Sequence, residues 1–358
     1  MKKGLKKWTL FPLLALVAVI LSGCGEEYIS ALRPAGAVGK EQFNLLMLAT
    51  SIMTLVVVVV SVLYLLTFAK FRRSKLGEDY MPKQVEGSHT LEVIWTVIPI
   101  ILLLILSVPT VMATYKFGDV AAMDVVDEDG NKKSLTVNVT AKLYWWEFEY
   151  PDLGIVTAQE LVVPTKEKVY FNLIAADVKH SFWIPAIGGK MDTNVENVNK
   201  FYLIFDEESA PLNNGEGVWY GKCAELCGPS HALMDFKVKS LNREDFDAWV
   251  GAMQATEGQT ADRESTDLGE AVFAQNCLGC HAVSGVGTSG ALGPNLATFG
   301  DRNRVAGFMD YNKESLVEWI KDPEKYKPGN LMTGKYKDLT DEEVNAVADY
   351  LMGLSVEK

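Results

Sequence analysis

The sequence predicts a multidomain chain: two membrane-spanning α-helices, then a β-sandwich or Greek-key barrel, then a small all-α domain. Three observations predict it. Two uncharged apolar runs, Leu45 to Ala69 and Val93 to Tyr115, each exceed the ~20 residues that a helix needs to cross a bilayer. Short β-type runs separated by Pro, Gly and Asn fill about 120–245. Beyond 267 the apolar residues recur with a helical period. At 358 residues the chain can hold several cores, and 48% hydrophobic with 22% charged residues suits soluble domains carried on a few spans.

The N-terminus reads as a targeting segment. Lys2, Lys3, Lys6 and Lys7 precede an apolar run from Trp8 to Leu21, and Leu21-Ser22-Gly23-Cys24 follows. This resembles a bacterial lipoprotein signal, which implies removal of 1–23 and lipidation of Cys24. An ordinary signal peptide or an uncleaved span is the alternative. The connection between the two spans holds Lys70, Arg72, Arg73, Lys75 and Lys83, so it belongs in the cytoplasm. Both ends of the anchor (24–118) then face outward, as the lipoprotein signal independently requires. The formal net charge is −12, and the excess acid lies entirely after residue 90. An acidic exterior argues against nucleic acid as a partner and is compatible with a basic protein, or with plain solubility.

Along the outer part, Leu135, Val137 and Val139 alternate with polar residues, a strand signal. Further β-type runs are expected at Tyr144–Tyr150, Lys168–Ile174, Lys200–Phe205 and Asp235–Ser240, within a β domain over 119–248. Residues 249–266 turn polar and lose periodicity, which reads as a linker. The last domain, 267–358, should contain helices at Leu268–Gln275, Lys313–Lys321 and Thr340–Met352, the last opened by a Thr340/Glu343 capping box.

Cys277-Leu-Gly-Cys280-His281 is a C-x-x-C-H motif and points to covalent haem attachment. The spacing sets two thiols on one helical turn, where they can add to two vinyl groups, with His281 under the iron. A redox dithiol would expect a βαβ pattern, and a zinc site lacks a second pair of ligands in 282–358. A soft sixth ligand suits electron transfer, and Met309, Met332 and Met352 are available downstream. Lys327-Pro-Gly-Asn-Leu-Met332 resembles the methionine loop of cytochrome c, with Thr333 where Pro often follows, so Met332 is the expected axial ligand. Gly293-Pro294 resembles that family's segment whose carbonyl accepts the proximal imidazole N–H.

A second constellation runs Cys223-Ala-Glu225-Leu-Cys227-Gly-Pro-Ser-His231-Ala-Leu-Met234, with His180 upstream. Two thiolates, two imidazoles and a thioether suit electron-transfer copper. A Cys2His2 zinc site is the alternative, and it would leave Met234 idle. The pattern C-x-E-x-C-x-x-x-H-x-x-M after an upstream His resembles the binuclear CuA site of haem–copper cytochrome c oxidase subunit II, a likeness extending over about 40–240. That resemblance implies copper bridged by Cys223 and Cys227, one His each from His180 and His231, and weak outer ligands from Met234 and the Glu225 carbonyl. It also implies Mg²⁺ or Mn²⁺ on the Glu225 carboxylate, shared with subunit I. Tyr144 stands where the family usually has Trp, and Val195-Glu196-Asn197 replaces a frequent Pro-Gly-Arg. Glu92, in the first turn of the second span, corresponds to the entrance of a proton channel, or is an acid favoured there by the helix dipole.

The architecture implied is two transmembrane α-helices, a cupredoxin-like Greek-key β-barrel and an all-α cytochrome c domain, as in the caa-type oxidases of Gram-positive bacteria. Such a subunit carries electrons from haem c to CuA and on to subunit I, where oxygen becomes water with proton pumping. Its expected partners are subunit I, other oxidase subunits, membrane lipid, and a small cytochrome c or quinol–cytochrome c reductase as donor. A CuA-bearing subunit of a nitric oxide reductase would share every metal motif. A copper chaperone or storage lipoprotein would leave the haem without a purpose.

Overall fold

The computed structural model describes residues 12, 15–17 and 25–358, leaving out 78, 129, 131, 211, 213, 214, 288, 289, 291 and 358. Cys24 and nearly all of the expected signal segment lie outside the described residues. Two units emerge, Glu41–Gly118 and the remainder of the chain.

The first unit is built from helices α1 (Ala37–Lys70) and α2 (His89–Gly118). Both outrun the charge-free stretches by several polar residues at their ends. Helical hydrogen bonding continues past the apolar run, and Glu92 in the first turn and Lys116 in the last complement the α2 dipole. Lys116 also pairs with Glu41 at 3.1 Å, so the end of α2 meets the start of α1. Val58, Leu66, Ile98 and Leu104 are exposed, among many others. Helices this long and this apolar on their outer surface fit a hydrocarbon solvent.

In the second unit, ten strands form two five-stranded sheets. They are β1 (Thr136–Lys142), β2 (Trp145–Tyr150), β3 (Ile155–Ala158), β4 (Glu160–Pro164), β5 (Lys168–Ala175), β6 (His180–Ile184), β7 (Gly188–Thr193), β8 (Asn199–Ile204), β9 (Trp219–Cys223) and β10 (Asp235–Leu241). One sheet runs β3-β2-β1-β5-β8 and the other β4-β10-β9-β6-β7. The β1/β5 and β4/β10 pairs are parallel and the rest antiparallel, so strands return across the sandwich in the Greek-key manner. Val137, Val139 and Ala141 of β1 are fully buried while Asn138, Thr140 and Lys142 alternate outward; Thr136 at the strand's start is buried too. Between the sheets Trp146, Phe148, Phe171, Phe182 and Phe236 pack ring against ring, with centroids 4.8 to 5.7 Å apart in the touching pairs. Burying five such rings holds the edges of the loops that leave β6, β9 and β10.

Helix α3 (Arg243–Gln254) follows β10, capped by the Asn242 side chain accepting from Asp245 N–H. It buries Phe246, Trp249 and Met253, one face at helical spacing. The stretch 249–266 therefore begins inside a helix, and beyond it Thr256 Oγ1 accepts from Gly285 N–H at 2.7 Å. The C-terminal domain packs α4 (Leu268–Asn276), α5 (Lys313–Lys321) and α6 (Asp341–Gly353) around Phe273, Leu316, Ile320, Val347 and Leu351. The Thr340/Glu343 capping box is present in both directions. A two-stranded hairpin, β11 (Arg304–Val305) and β12 (Met309–Asp310), projects between α4 and α5 in sequence.

Candidate metal centres

The copper candidates converge on the end of the second sheet. His180 opens β6, Cys223 closes β9, and the loop from Ala224 to Met234 returns into β10. That loop is fixed at both ends: Cys223 N–H donates to Met234 O (3.2 Å), and Ala224 N–H donates to Ser181 O (2.9 Å). Two glycines make the close packing feasible. A Cβ on Gly221 would meet the Phe236 ring at 2.1 Å, and one on Gly228, at φ +131°, would meet the Tyr144 hydroxyl at 2.5 Å.

Within the loop the two sulfurs stand 3.9 Å apart. His180 Nδ1 lies 4.0 Å from Cys223 Sγ and His231 Nδ1 lies 3.6 Å from Cys227 Sγ. On the outer sides, the Glu225 carbonyl is 3.2 Å from Cys223 Sγ and Met234 Sδ is 3.8 Å from Cys227 Sγ. His180, Cys223 and Cys227 offer ligand atoms within 4.8 Å of one another, all buried. The donor set fits two metals bridged by both sulfurs: each side has one imidazole and one weak ligand. A single tetrahedral zinc would leave the thioether and the carbonyl over.

Electrostatics agree with metal-ready thiols. The hydrogen bond from the Cys227 thiol, helped by His180, holds Cys223 well below the usual thiol range, whereas the neighbouring thiolate pushes Cys227 up. Two adjacent thiolates need a cation to coexist. His180 is oriented from behind, because Asp177 Oδ1 accepts from Nε2 at 2.8 Å and leaves Nδ1 to face the sulfur. Burial pushes Asp177 up, but the hydrogen bonds from His180, Val178 N–H and Leu143 N–H outweigh it and hold the carboxyl below the usual range. Sequence reading had not singled out Asp177; its position three residues before His180 was the available signal.

The second centre is a crevice of about 1120 Å³, part of it open to solvent, lined by Cys277, Cys280, His281, Met332, Trp319 and Tyr336 among others. Helix α4 ends at Cys277, and Cys280 N–H and His281 N–H both donate to the Cys277 carbonyl at 3.0 Å, forming the turn that presents both thiols. His281 Nδ1–H donates to Pro294 O at 2.8 Å, leaving Nε2 for the crevice, and burial lowers the imidazole so that it stays neutral. A Cβ on Gly293 would meet the His281 ring at 2.6 Å, so the backbone comes this close only as glycine. Burial raises the Cys277 thiol to about 11. An apolar slot with a tethering thiol pair, a preoriented imidazole and an opposing thioether fits a covalently held haem.

Of the methionines weighed from sequence, Met332 lines this crevice, while Met309 and Met352 pack against the helical core. Met332 is held by its N–H donating to Asn330 Oδ1 at 2.9 Å. The crevice has a wall that does not come from its own domain: Leu143, Tyr144, Trp145 and Gln159 of the β domain line it too. Tyr144 is 4% exposed and sits between the two centres, its hydroxyl against Gly228 on one side and Gly329 on the other. Glu225 is half-buried, and Glu92 stays exposed in the first turn of α2.

Comparison with known proteins follows the same division. A profile described as cytochrome C oxidase subunit II, transmembrane domain, matches 34–112; one described as its periplasmic domain matches 153–241; one described as cytochrome c matches 266–355. Cytochrome c oxidase subunit 2 of Bacillus sp. (strain PS3) is 56% identical over 360 residues, covering 100% of both chains. The protein of the same description from Bacillus subtilis (strain 168) is 52% identical over 358 residues, covering 98% of this chain and 99% of that one. Quinol oxidase subunit 2 of Bacillus cereus is 30% identical over 249 residues, 70% of this chain and 81% of that one. Among solved structures, the periplasmic domain of subunit II of cytochrome oxidase of Bradyrhizobium japonicum is 29% identical, covers 34% of this chain and 94% of that one, and has a TM-score of 0.30.

Proposed function

The chain belongs to the cytochrome c oxidase subunit II family, and from that premise we propose that it accepts electrons at haem c and passes them through CuA to a haem–copper subunit I, where oxygen is reduced to water with proton pumping. It is a membrane protein whose metal-binding domains are extracytoplasmic. The observation that supports the electron route is that the cluster of two cysteines, two histidines and Met234 and the crevice lined by His281 and Met332 share the wall made by Tyr144.

Cys277 and Cys280 would tether the haem, and His281 and Met332 would take its two axial positions. Cys223 and Cys227 would bridge the coppers, His180 and His231 would bind one each, and Met234 and the Glu225 carbonyl would be the weak outer ligands. Bound there, the copper pair supplies a one-electron site spread over two metals, so that little rearranges on transfer. Protein residues do the rest. Asp177 fixes the His180 tautomer, the Pro294 carbonyl fixes His281, and the aromatic core keeps the copper loop rigid.

Four finer assignments belong to the same reading. The Glu225 carboxylate would hold Mg²⁺ or Mn²⁺ shared with subunit I, and Glu92 would mark the entrance of its proton channel. Cys24 would be lipidated after removal of 1–23. The donor would be a small cytochrome c or a quinol–cytochrome c reductase. Near-infrared absorption and EPR of the purified chain test the central proposal. A delocalised mixed-valence copper pair beside a low-spin haem is expected; zinc as the sole metal would overturn it.

A further inference from the structure

The loop that carries Met332 is fastened to the copper domain at two adjacent residues. Ser230 Oγ donates to the Pro328 carbonyl at 2.7 Å, and Ser230 is fully buried directly before His231. Next to Pro328, the Lys327 ammonium donates to the Tyr144 carbonyl at 3.0 Å and to the Ala306 carbonyl at 2.7 Å. Lys327 is only 4% exposed, and both of these acceptors are backbone carbonyls. Burying an ammonium on two carbonyls, with only the Phe308 ring beneath it at 5.2 Å, is expensive, and its directional return is geometry: it joins the methionine loop, the β11–β12 turn and the start of β2 at one point. Gln159 Nε2–H reinforces that point by donating to the same Ala306 carbonyl at 3.2 Å.

We infer that Ser230 and Lys327 are positioning residues, a two-point clamp that holds the methionine loop of the helical domain against the histidine loop of the copper domain. The residues on either side of the contact explain why the place matters. Met332 lies five residues beyond Lys327, and His231 is bonded to Ser230 through the chain. A slip at the clamp therefore changes the separation of the two centres, while leaving the ligands of each untouched. The inference rests on the electron route above. That transfer would move one electron and no proton: the haem would give up one electron, the copper pair would take it up, and an external one-electron donor would replace it.

The test uses the full chain loaded with haem and copper, as wild type, Ser230→Ala, Lys327→Met and Ser230→Thr. Hydrogen exchange reads the clamp independently of redox activity. Amides 327–333 should exchange about tenfold faster in Ser230→Ala and Lys327→Met, with Ser230→Thr, which keeps the hydroxyl, close to wild type. After photoreduction of the haem, transfer to copper should slow by about tenfold in the same two variants, with haem and copper spectra unchanged. Reduction of the haem by an external ruthenium donor should keep its rate. Wild-type exchange in Ser230→Ala overturns the clamp, as does slower transfer accompanied by altered copper or haem spectra. Should Lys327→Met fail to fold, the Ser230 pair decides alone. Absence of any haem-to-copper transfer in the wild type would instead refute the electron route, and the exchange result would still judge the clamp.

Discussion

Replacing Asp177 with Asn tests whether the copper site depends on its supporting shell. The two carboxylate oxygens have different duties. Oδ1 accepts from His180 Nε2 (2.8 Å) and from Val178 N–H (2.7 Å), while Oδ2 accepts from Leu143 N–H (2.6 Å). Asn can keep the first pair through its carbonyl, but its amide then turns two N–H donors toward the Leu143 N–H. A buried donor left unpaired costs about 1–3 kcal/mol, and the partly buried Leu143 N–H falls at the lower end of that range. Flipping the amide restores Leu143 and abandons His180 instead, so no rotamer serves both. The lost anion also weakens the hold on the His180 tautomer, an effect of about 10–100-fold in metal affinity. Copper affinity measured by competition with a chelator should fall within that range, and denaturation should show a destabilised β domain. Affinity within about twofold of wild type would refute the argument, because the geometry leaves Asn no neutral solution.

Other outcomes follow from the same structure. Cys223→Ser should abolish the mixed-valence EPR signal, since one bridging sulfur is gone; its persistence would break the ligand assignment. Met332→Ala should remove any methionine–iron charge-transfer band, while Met309→Ala, packed away from the crevice, should leave it. Gly293→Ala should impair haem incorporation, because the new methyl would meet His281 at 2.6 Å; a normal yield of haem-loaded protein counts against that contact. For pH, burial lowers Lys327 to about 7, well beneath an ordinary lysine. The folded state then binds fewer protons than the unfolded one between about pH 7 and 10.5, so stability from this group rises with pH across that window. Wild-type stability minus that of Lys327→Met should therefore increase by up to about 1.4 kcal/mol per pH unit there, and a flat difference would contradict it. The neutral amine keeps its donors, so the clamp survives the titration.

What the sequence revealed depended on how local the signal was. Helices α5 and α6 appeared where periodicity placed them, α6 with the Thr340 cap that its sequence spells; the structure adds a cap on α5 from the Asn312 side chain. Strand β1 appeared through strict alternation. By contrast β3 and β4 escaped notice: all their residues are buried, so Ile155–Ala158 and Glu160–Pro164 carry no period of two. Helix α3 was missed although Asn242, Phe246, Trp249 and Met253 spell a cap and a face; polar residues after it drew attention to a linker instead. The candidate copper loop was legible because most of its candidate donors crowd into one loop. Asp177 was not, since its role arises only when β6 brings His180 beside Cys223. Lys327 was hidden for the same reason: nothing in Lys-Pro-Gly-Asn says that its ammonium meets a carbonyl 183 residues away.

These supporting contacts form one circuit. From His180 the path runs to Asp177 and then to Leu143 N–H. The next residue, Tyr144, offers its carbonyl to Lys327. Lys327 is bonded to Pro328, whose carbonyl accepts from Ser230, which precedes His231. The circuit thus leaves the copper site by one histidine and returns to it by the other, passing through the methionine loop between them. Tyr144 sits inside it, with its carbonyl on the clamp and its hydroxyl against Gly228 and Gly329. Tyr144 is therefore held on every side. Gly228 leaves room for the hydroxyl, and a Cβ there would meet it at 2.5 Å. The hydroxyl-tipped ring fits a space bounded by two glycines, and the backbone on either side of it ties the Asp177 and Lys327 loops together.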